Sequence, residues 1–256
     1  MRAYFPALCL LLFLAPALEG QNANTPFFNR ENTGEAFLVT IQFSGQTTGG
    51  DLADRFGPSS DVSASVGWMS EGKSWIFGIE GAFLFGSDVR EDVLAPLRTS
   101  QGDIIGITGT IAPVLLRQRG FYLGAHAGRI FPLSKSNPRN GIRVSLGVGY
   151  LQHQIRIVDD SNTTEHLAGE FQKGYDRLTS GPALRQFVGY QLFSADRLLN
   201  FHVGLECTQA FTQSRRTVNY DTGLPGERNR LDLMFGLRIG WSLPLYYGIP
   251  KEETYY

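Results

Sequence analysis

The sequence is poor in the features that mark disulfide-stabilised, cysteine-metal and nucleic-acid-binding proteins. It has only two cysteines, and one of them, Cys9, lies in the apolar run at the start of the chain. Once that run is removed, Cys207 alone can form neither an internal disulfide nor a cysteine-based metal site. The net charge of −1 and the pI of about 6.4 argue against electrostatic binding of nucleic acid.

The first twenty residues have the layout of a secretory signal peptide. The positive residue Arg2 precedes the short, proline-interrupted apolar run AYFPALCLLLFLAPAL, and Gly20 ends the small and polar stretch that follows. The alternatives are a retained anchor helix and a lipoprotein, but Cys9 lies too early in the run for a lipoprotein. We predict a signal peptide over 1–20 and a periplasmic segment over 21–34. No later run is long enough for a transmembrane helix.

Eight later stretches alternate between large apolar residues and small or polar ones. In RLDLMFGLRIGWSLPLYY, residues 230–247, most alternate residues from Leu231 to Leu245 are large and apolar, and those between them are mostly small or charged. Strict alternation is typical of a β-strand, because successive side chains point to opposite faces. The same pattern recurs at residues 36–44, 61–69, 75–86, 119–131, 142–150, 183–193 and 199–211.

The connections between these stretches alternate in length. Long polar segments lie at 47–60, 88–111, 159–181 and 215–229, and short ones lie at 70–74, 134–141 and 194–198. Tight turns at one end and long loops at the other are the layout of an outer-membrane barrel, whose long loops face outside. Residues 103–116 are ambiguous. We assign them partly to a loop and partly to an upward extension of the fourth strand, and a count of ten strands stays open.

The scarcity of lysine indicates which strand face meets the core. The surface of a soluble barrel is normally rich in charged residues, whereas the less apolar strand faces here carry mainly Gly, Ser, Thr and Gln. The lysines all fall in turns, loops or the tail: Lys73, Lys135, Lys173 and Lys251. Large apolar residues facing outward suit a barrel surrounded by lipid. We predict an all-β, antiparallel, eight-stranded transmembrane β-barrel over 35–246, integral to the outer membrane, with short periplasmic turns, long extracellular loops and a periplasmic tail over 247–256.

The rare charges on the inward faces predict an ion-pair cluster in the lumen. An arginine on the lipid face near the midplane would cost roughly 2–4 kcal/mol, so Arg238 should point inward. Counting residues from the short turns places four charges at comparable depth, and we predict that they cluster: Glu80, Arg185, Glu206 and Arg238. His202 and Arg143 should lie below them. Because eight strands enclose only enough room for side chains, the lumen should be filled and not an open pore.

The signal peptide, the eight strands and the aromatic end of the last strand resemble the small outer-membrane barrels of the OmpX and OmpA-barrel type. More narrowly, GYLQHQIRI, KGYDRLTSGPAL, FTQSRRTVNYDT and RLDLMFGLRIGW resemble a family of exported barrel proteins from Bacteroidota, a likeness that covers most of the second half of the chain. The resemblance implies no catalytic residues. Relatives in that phylum include barrel subunits of machines for protein secretion or barrel assembly, so it implies a related envelope role.

Candidate catalytic and metal-binding residues are few. His202 and Glu206 are four residues apart on one strand face, roughly 13 Å, which is too far for a direct hydrogen bond. His126 and Ser145 face inward on adjacent strands, but no carboxylate is placed beside them to complete a nucleophilic triad. The acidic loop after Asp159 lacks the spacing of a calcium site. We predict no enzymatic activity, no metal and no cofactor.

Two of the long loops carry mixed charged and aromatic residues. They are candidates for docking a partner protein, because Tyr and Arg are frequent in binding hot spots. The alternative is a loop cap that packs on itself over the barrel mouth. The docking candidates are Lys173, Tyr175, Asp176, Arg177, Arg215, Arg216, Tyr220 and Asp221, together with Tyr255 and Tyr256 in the tail.

Together these features predict a non-enzymatic outer-membrane barrel, surrounded by lipid, that docks other envelope components. The leading hypothesis is an accessory subunit of an outer-membrane protein assembly or secretion complex. Its partners would be other barrels or lipoproteins, with no nucleic acid. The alternatives are a stand-alone structural or adhesion-type barrel and a small channel.

Overall fold

The computed structural model describes residues 34–72, 74–107, 109–133, 137–159, 164, 171–194 and 199–246. The predicted signal peptide, all but Gly34 of the predicted periplasmic segment, and the predicted tail with Tyr255 and Tyr256 lie outside the described residues. Within the described ranges no helix is long and apolar enough to cross a membrane.

Eight antiparallel strands close into a barrel, which confirms the predicted fold class. Each strand pairs with its neighbours in the chain, and the last strand pairs with the first to close the ring. The strands are β1 (Ala36–Gly50), β2 (Ser59–Met69), β3 (Trp75–Gly86), β4 (Val114–Pro132), β5 (Gly141–Asp159), β6 (Thr179–Phe193), β7 (Asn200–Ser214) and β8 (Arg230–Tyr246).

The loops carry the remaining short elements. Within the described residues these are α1 (Asp51–Arg55) and two 3₁₀ helices, Ala95–Leu97 and Phe171–Gly174. The ambiguous stretch 103–116 divides into two parts. Ile104–Ile105 pair with Ile111–Ala112 in what we call the loop hairpin, outside the barrel, and β4 begins at Val114. The barrel therefore has eight strands and not ten.

The connections at one end of the barrel are short and those at the other end are mostly longer, and they alternate along the chain as predicted. Ala36 lies opposite both Tyr246 and Met69, so the ends of β1 and β8 share one end of the barrel with three short connections. These short connections are 70–74, 133–140 and 194–199, and those at the other end are 51–58, 87–113, 160–178 and 215–229. The first extracellular loop is shorter than predicted, because β1 continues to Gly50. Short turns face the periplasm in outer-membrane barrels, which orients the molecule.

The outer face of the barrel is apolar along the strands. On β8, Leu237 and Ile239 are at least half exposed, whereas Arg238 between them is buried. On β3, Phe77 and Ile79 are exposed and Glu80 is buried. A continuous apolar exterior of this kind is stable in lipid and would drive association in water. The protein is an integral outer-membrane β-barrel, as the sequence predicts.

Three levels of side chains fill the barrel. The periplasmic end holds an apolar layer that includes Leu38, Met69, Ile76, Ile130 and Phe193. Polar and charged side chains lie at mid-height. Above them, residues from α1 and the second loop meet the inner strand faces in what we call the upper apolar core, which includes Leu52, Phe56, Leu84, Leu94, Leu151 and Ile155.

Gly50 directs α1 into the barrel mouth. Its φ of +59° lies in the left-handed region that favours glycine, and a Cβ at this position would collide with the backbone oxygen of Leu231. Leu52 and Phe56 are then fully buried in the upper apolar core. The first loop thereby becomes part of the barrel filling.

Candidate functional site

The four charges predicted for the lumen lie together at mid-height, and we call them the lumenal cluster: Glu80, Arg185, Glu206 and Arg238. The Nη1 of Arg185 donates to Glu80 Oε1 at 2.6 Å, and the Nη2 of Arg238 donates to the same oxygen at 2.9 Å. Arg238 also pairs with Glu206, and Nε of Arg185 lies 4.0 Å from the Glu206 carboxylate. All four residues are at most 6% exposed. Pairing two guanidinium groups with two carboxylates offsets the cost of removing these charges from water.

Each residue of the lumenal cluster lies opposite a glycine of the neighbouring strand. Glu80 lies opposite Gly124, and Arg185 lies opposite Gly147. Glu206 and Arg238 lie opposite Gly236 and Gly204, respectively. A glycine leaves room on the inner wall, so a long charged side chain can extend across the narrow lumen to strands on the far side.

The surroundings of the lumenal cluster include polar residues that the sequence analysis missed. Asp61 lies 3.4 Å from Arg185, and Gln42 accepts a hydrogen bond of 3.1 Å from Arg238. Of the two residues expected below the cluster, His202 contacts Gln42 at 3.2 Å, whereas Arg143 donates to Gln191 at 3.2 Å. The sequence could have indicated Asp61 as a member of this group, because it precedes Val62 on the same strand and Val62 faces outward.

The lumen at this height is nearly solid. The cavity beside the cluster, bordered by Glu80, His126, Arg143 and Ser145 among others, measures about 10 Å³, close to the space that one water molecule needs. The guanidinium carbon of Arg185 lies 4.2 Å from the centre of the Tyr122 ring, which fills part of the remaining space.

His126 and Ser145, the pair considered for nucleophilic chemistry, both border this small cavity. Nδ1 of His126 has no hydrogen-bond partner among the described residues. A histidine that acts as a general base needs a third group that orients its ring, and Nδ1 of His126 meets no such group within the described residues. No group of three or more His, Cys, Asp or Glu side chains is arranged to hold a metal ion in the described ranges.

Four of the charged docking candidates of the third and fourth loops form ion pairs over the barrel mouth. Arg177 forms a two-point contact with Asp221, at 2.9 and 2.6 Å, and donates from Nε to Glu91 at 2.7 Å. Arg216 makes a similar contact with Asp176, at 2.9 and 2.5 Å. Arg55 at the end of α1 donates to Glu91 at 2.8 Å and so joins the first and second loops to the network. We call this network the cap cluster: Arg55, Glu91, Asp176, Arg177, Arg216 and Asp221.

Arg177 is the centre of the cap cluster and has a strained backbone. Its φ of +51° is uncommon for a residue other than glycine and is retained only where surrounding contacts fix it. Burial opposes the charge of Arg177, but its hydrogen bonds to Asp221 and Glu91 raise its pKa. Burial also opposes the charge of Glu91, but Arg55 and Arg177 hold the pKa of that carboxyl below its usual value. The cap cluster is therefore a set of mutually stabilised charges.

The remaining docking candidates lie around the cap cluster. Tyr175 and Tyr220 meet edge to face with ring centres 5.7 Å apart. Arg215 turns to the outer wall, where it donates to Ser180 Oγ at 2.6 Å and to the Tyr150 hydroxyl at 2.8 Å. Lys173 lies in the second 3₁₀ helix. The described parts of the third and fourth loops thus form the self-packed cap that the sequence left open, and whether they also dock a partner stays a prediction.

A third polar group, which the sequence analysis missed, lies beneath the cap. Nε2 of His153 lies 2.8 Å from Asp232, which also accepts a hydrogen bond of 2.5 Å from Thr212. Arg230 reaches the other oxygen of Asp232 at 3.3 Å, and the Phe56 ring packs edge-on against His153. This group links β5, β7 and β8 at the top of the lumen. The strand residues of this group face inward. They were missed because they lie at the height where the predicted strands ended.

Comparison with family models finds no match, and comparison with curated proteins finds none either. Among solved structures, the chain is similar to Ail, the attachment invasion locus protein of Yersinia pestis, with a TM-score of 0.38 and 12% identity over 82% of this chain and 99% of that chain. It is also similar to Neisserial surface protein A (TM-score 0.40, 10% identity, 80% and 97% covered). A third structure is the outer-membrane protein OprG of Pseudomonas aeruginosa (TM-score 0.38, 11% identity, 86% and 100% covered). Likeness at this level carries no conclusion about function, and the closer resemblance to Bacteroidota barrels stays a prediction.

Proposed function

We propose that the protein is a closed, non-enzymatic outer-membrane barrel that docks a protein partner through the outside of its extracellular cap. The observation that carries this proposal is the loop hairpin. Its outward residues Ile105, Ile107 and Ile111 are 50%, 64% and 63% exposed, whereas Ile104 and Ala112 on the other face pack into the upper apolar core. The hairpin is thus anchored, and its three isoleucines are displayed in the extracellular loop region. Exposed apolar patches on a fixed element are typical of protein contact sites.

The cap cluster has a supporting role in this proposal. Its arginines and carboxylates are already paired with one another, so they hold the loops in place and leave the outer surface to make the contact. The partner class that we propose is another component of an outer-membrane assembly or secretion complex, of which this chain is an accessory subunit. That choice rests on the resemblance to exported Bacteroidota barrels that the sequence analysis predicts for the second half of the chain.

The experiment is a pull-down of the tagged full chain from outer membranes in mild detergent, with a photo-crosslinking residue at Ile107. A matched crosslinker at Leu224, which is equally exposed in the fourth loop, is the control. Stoichiometric recovery of a large barrel or lipoproteins, crosslinked at Ile107 and not at Leu224, is the expected result. Recovery of this chain alone, with no crosslinked partner, would instead favour a stand-alone structural or adhesion-type barrel.

Conductance across planar bilayers tests the closed lumen separately. A barrel filled at three levels, with about 10 Å³ left beside the lumenal cluster, should give no steady current. A stable, ion-selective current from the purified full chain would contradict the closed barrel and favour the small channel.

A further inference from the structure

A group of arginines lies on the outer wall of the barrel. Gln118 on β4 is fully buried in the lumen, so Arg117 and Arg119 on either side of it face outward. Arg156 on β5 lies between two buried isoleucines and faces outward as well. We call these three residues, Arg117, Arg119 and Arg156, the outer arginine patch.

The strand register fixes the height of the outer arginine patch. Arg119 lies one outward position above Phe121, which is exposed and lies opposite the exposed Phe83. Below it, the outward residues of β4 continue to Phe131 near the periplasmic end. Ten residues of a tilted strand span about 25 Å, the height of the lipid-facing band of outer-membrane barrels. The patch therefore lies at the extracellular border of that band, at the level of the lipid headgroups.

The charges of the outer arginine patch are not compensated within the described part of the protein. Arg117 lies directly opposite Arg156 in the β4–β5 register, and like charges in that relation repel each other. No ion pair among the described residues includes any of the three. Arg119 donates to the backbone oxygen of Gln118 at 2.7 Å, which leaves its charge in place. An anion from outside the chain would relieve this repulsion.

The surroundings of the patch suit a phosphorylated sugar. Arg117 and Arg119 border a groove of about 340 Å³ that is also lined by Ser59, Ser60 and Ser87. Guanidinium groups bind phosphate oxygens by paired hydrogen bonds, and serine hydroxyls can both donate to and accept from sugar hydroxyls.

We propose that the outer arginine patch binds the phosphate groups of a phosphorylated glycolipid in the outer leaflet of the outer membrane. Its acyl chains would lie along the apolar wall that begins at Phe83 and Phe121, and its sugars would occupy the groove. The three arginines lie on the adjacent strands β4 and β5, whereas the outward residues at the extracellular end of β8 include Leu231 and Leu233. The lipid is thus bound on the β3–β4–β5 side of the barrel.

The test measures binding of lipid A to the purified full chain in detergent micelles by native mass spectrometry. The probes are diphosphoryl lipid A, the same lipid with its phosphates removed, and inorganic phosphate as a soluble competitor. We expect the wild-type chain to bind diphosphoryl lipid A at least tenfold more tightly than the dephosphorylated lipid. The R117Q/R156Q variant should lose that tenfold preference, and inorganic phosphate at the same concentration should not displace the lipid.

The matched control is R90Q/R228Q, which removes two exposed arginines from extracellular loops outside the patch and should bind as the wild type does. Equal binding of diphosphoryl lipid A by the wild type and R117Q/R156Q would overturn the proposal, as would equal wild-type binding of the two lipids. Displacement by equimolar inorganic phosphate would overturn the lipid assignment in favour of a soluble phosphate. Folding is checked in lipid-free micelles, where R117Q/R156Q should unfold at the same or a higher temperature than the wild type because the repulsive pair is removed.

Discussion

The lumenal cluster and the cap cluster use the same chemistry, arginine paired with carboxylate, in two parts of the molecule with different support. The lumenal cluster is held by four strands, with a glycine opposite each charge, and its residues are almost completely buried. The cap cluster is held by loops, and the side chains of Glu91 and Arg216 are 32% and 22% exposed. In the lumen, the strands bring the charges together. In the cap, the charges hold the loops together.

Because of this difference, the loss of one charge should affect the protein differently in the two clusters. A partner removed from the lumenal cluster leaves an uncompensated charge that water cannot reach, because the strands do not move apart. A partner removed from the cap cluster releases a loop, and its remaining charges become hydrated. The first loss should lower the stability of the whole barrel, and the second should act on the loops alone.

The largest effect is expected for Arg238→Leu, which leaves Glu80 and Glu206 short of a partner. We expect the free energy of unfolding to fall by about 3–5 kcal/mol, measured by urea unfolding in detergent micelles with tryptophan fluorescence. Arg215→Leu is the control, because Arg215 contacts hydroxyl and backbone oxygens on the outer wall. It should cost about 1 kcal/mol. Equal losses for the two variants would remove the distinction between buried and surface arginines.

The second-largest effect is expected when an exposed leucine of a strand is replaced by arginine, compared with the same replacement in a loop. Leu237 on β8 and Leu224 in the fourth loop are equally exposed, at 64% and 63%. Leu237→Arg places a charge in lipid and should cost about 2–4 kcal/mol, whereas Leu224→Arg should stay within about 0.5 kcal/mol of the wild type. Unfolding in phospholipid vesicles measures both. A neutral Leu237→Arg would mean that this face does not meet lipid.

A smaller effect is expected for Asp221→Asn in the cap cluster. Arg177 keeps Glu91 as a partner, so the free energy of unfolding should fall by only about 1.5 kcal/mol. The main change should be faster tryptic cleavage in the third and fourth loops, with the barrel strands still protected. Asp103→Asn, in the second loop outside the cap cluster, is the control and should leave the cleavage rate unchanged. Loss of strand protection in Asp221→Asn would show that cap and barrel unfold as one unit.

The smallest effect is the pH dependence of the cap. The pKa of Glu91 is lower in the folded protein than its usual value of 4.5, so its contribution is complete above that value. The contribution is lost as the pH falls through the lower folded pKa. Pepsin digestion at a series of pH values below 4.5 should therefore show the loops opening in acid, relative to a Glu91→Gln variant whose loops are already open. Identical pH profiles for the two proteins would contradict this role of Glu91.

The sequence predicted the strand-built features and missed most of those that depend on loops. Alternation located every barrel strand, and counting from the tight turns brought Glu80, Arg185 and Arg238 to one level because register follows chain position in a barrel. Loops have no such periodicity, so nothing in the sequence showed that Arg55 and Glu91 would meet. The outer arginine patch was missed because β5 extends to Asp159, beyond its predicted segment, and because the extracellular ends of β4 and β5 carry arginine and glutamine instead of large apolar residues.

Arg238 lies on the last strand to be made, and this has a consequence for how the molecule forms. Until β8 pairs with β1, Arg185 is the one arginine of the lumenal cluster available to Glu80 and Glu206. Ring closure joins residues some two hundred positions apart, which makes it the most distant contact of the chain and the slowest to find. We expect closure and completion of the ion pairs to be a single late event. Until its final strand arrives, the open sheet would carry more carboxylates than arginines at the level of the lumenal cluster.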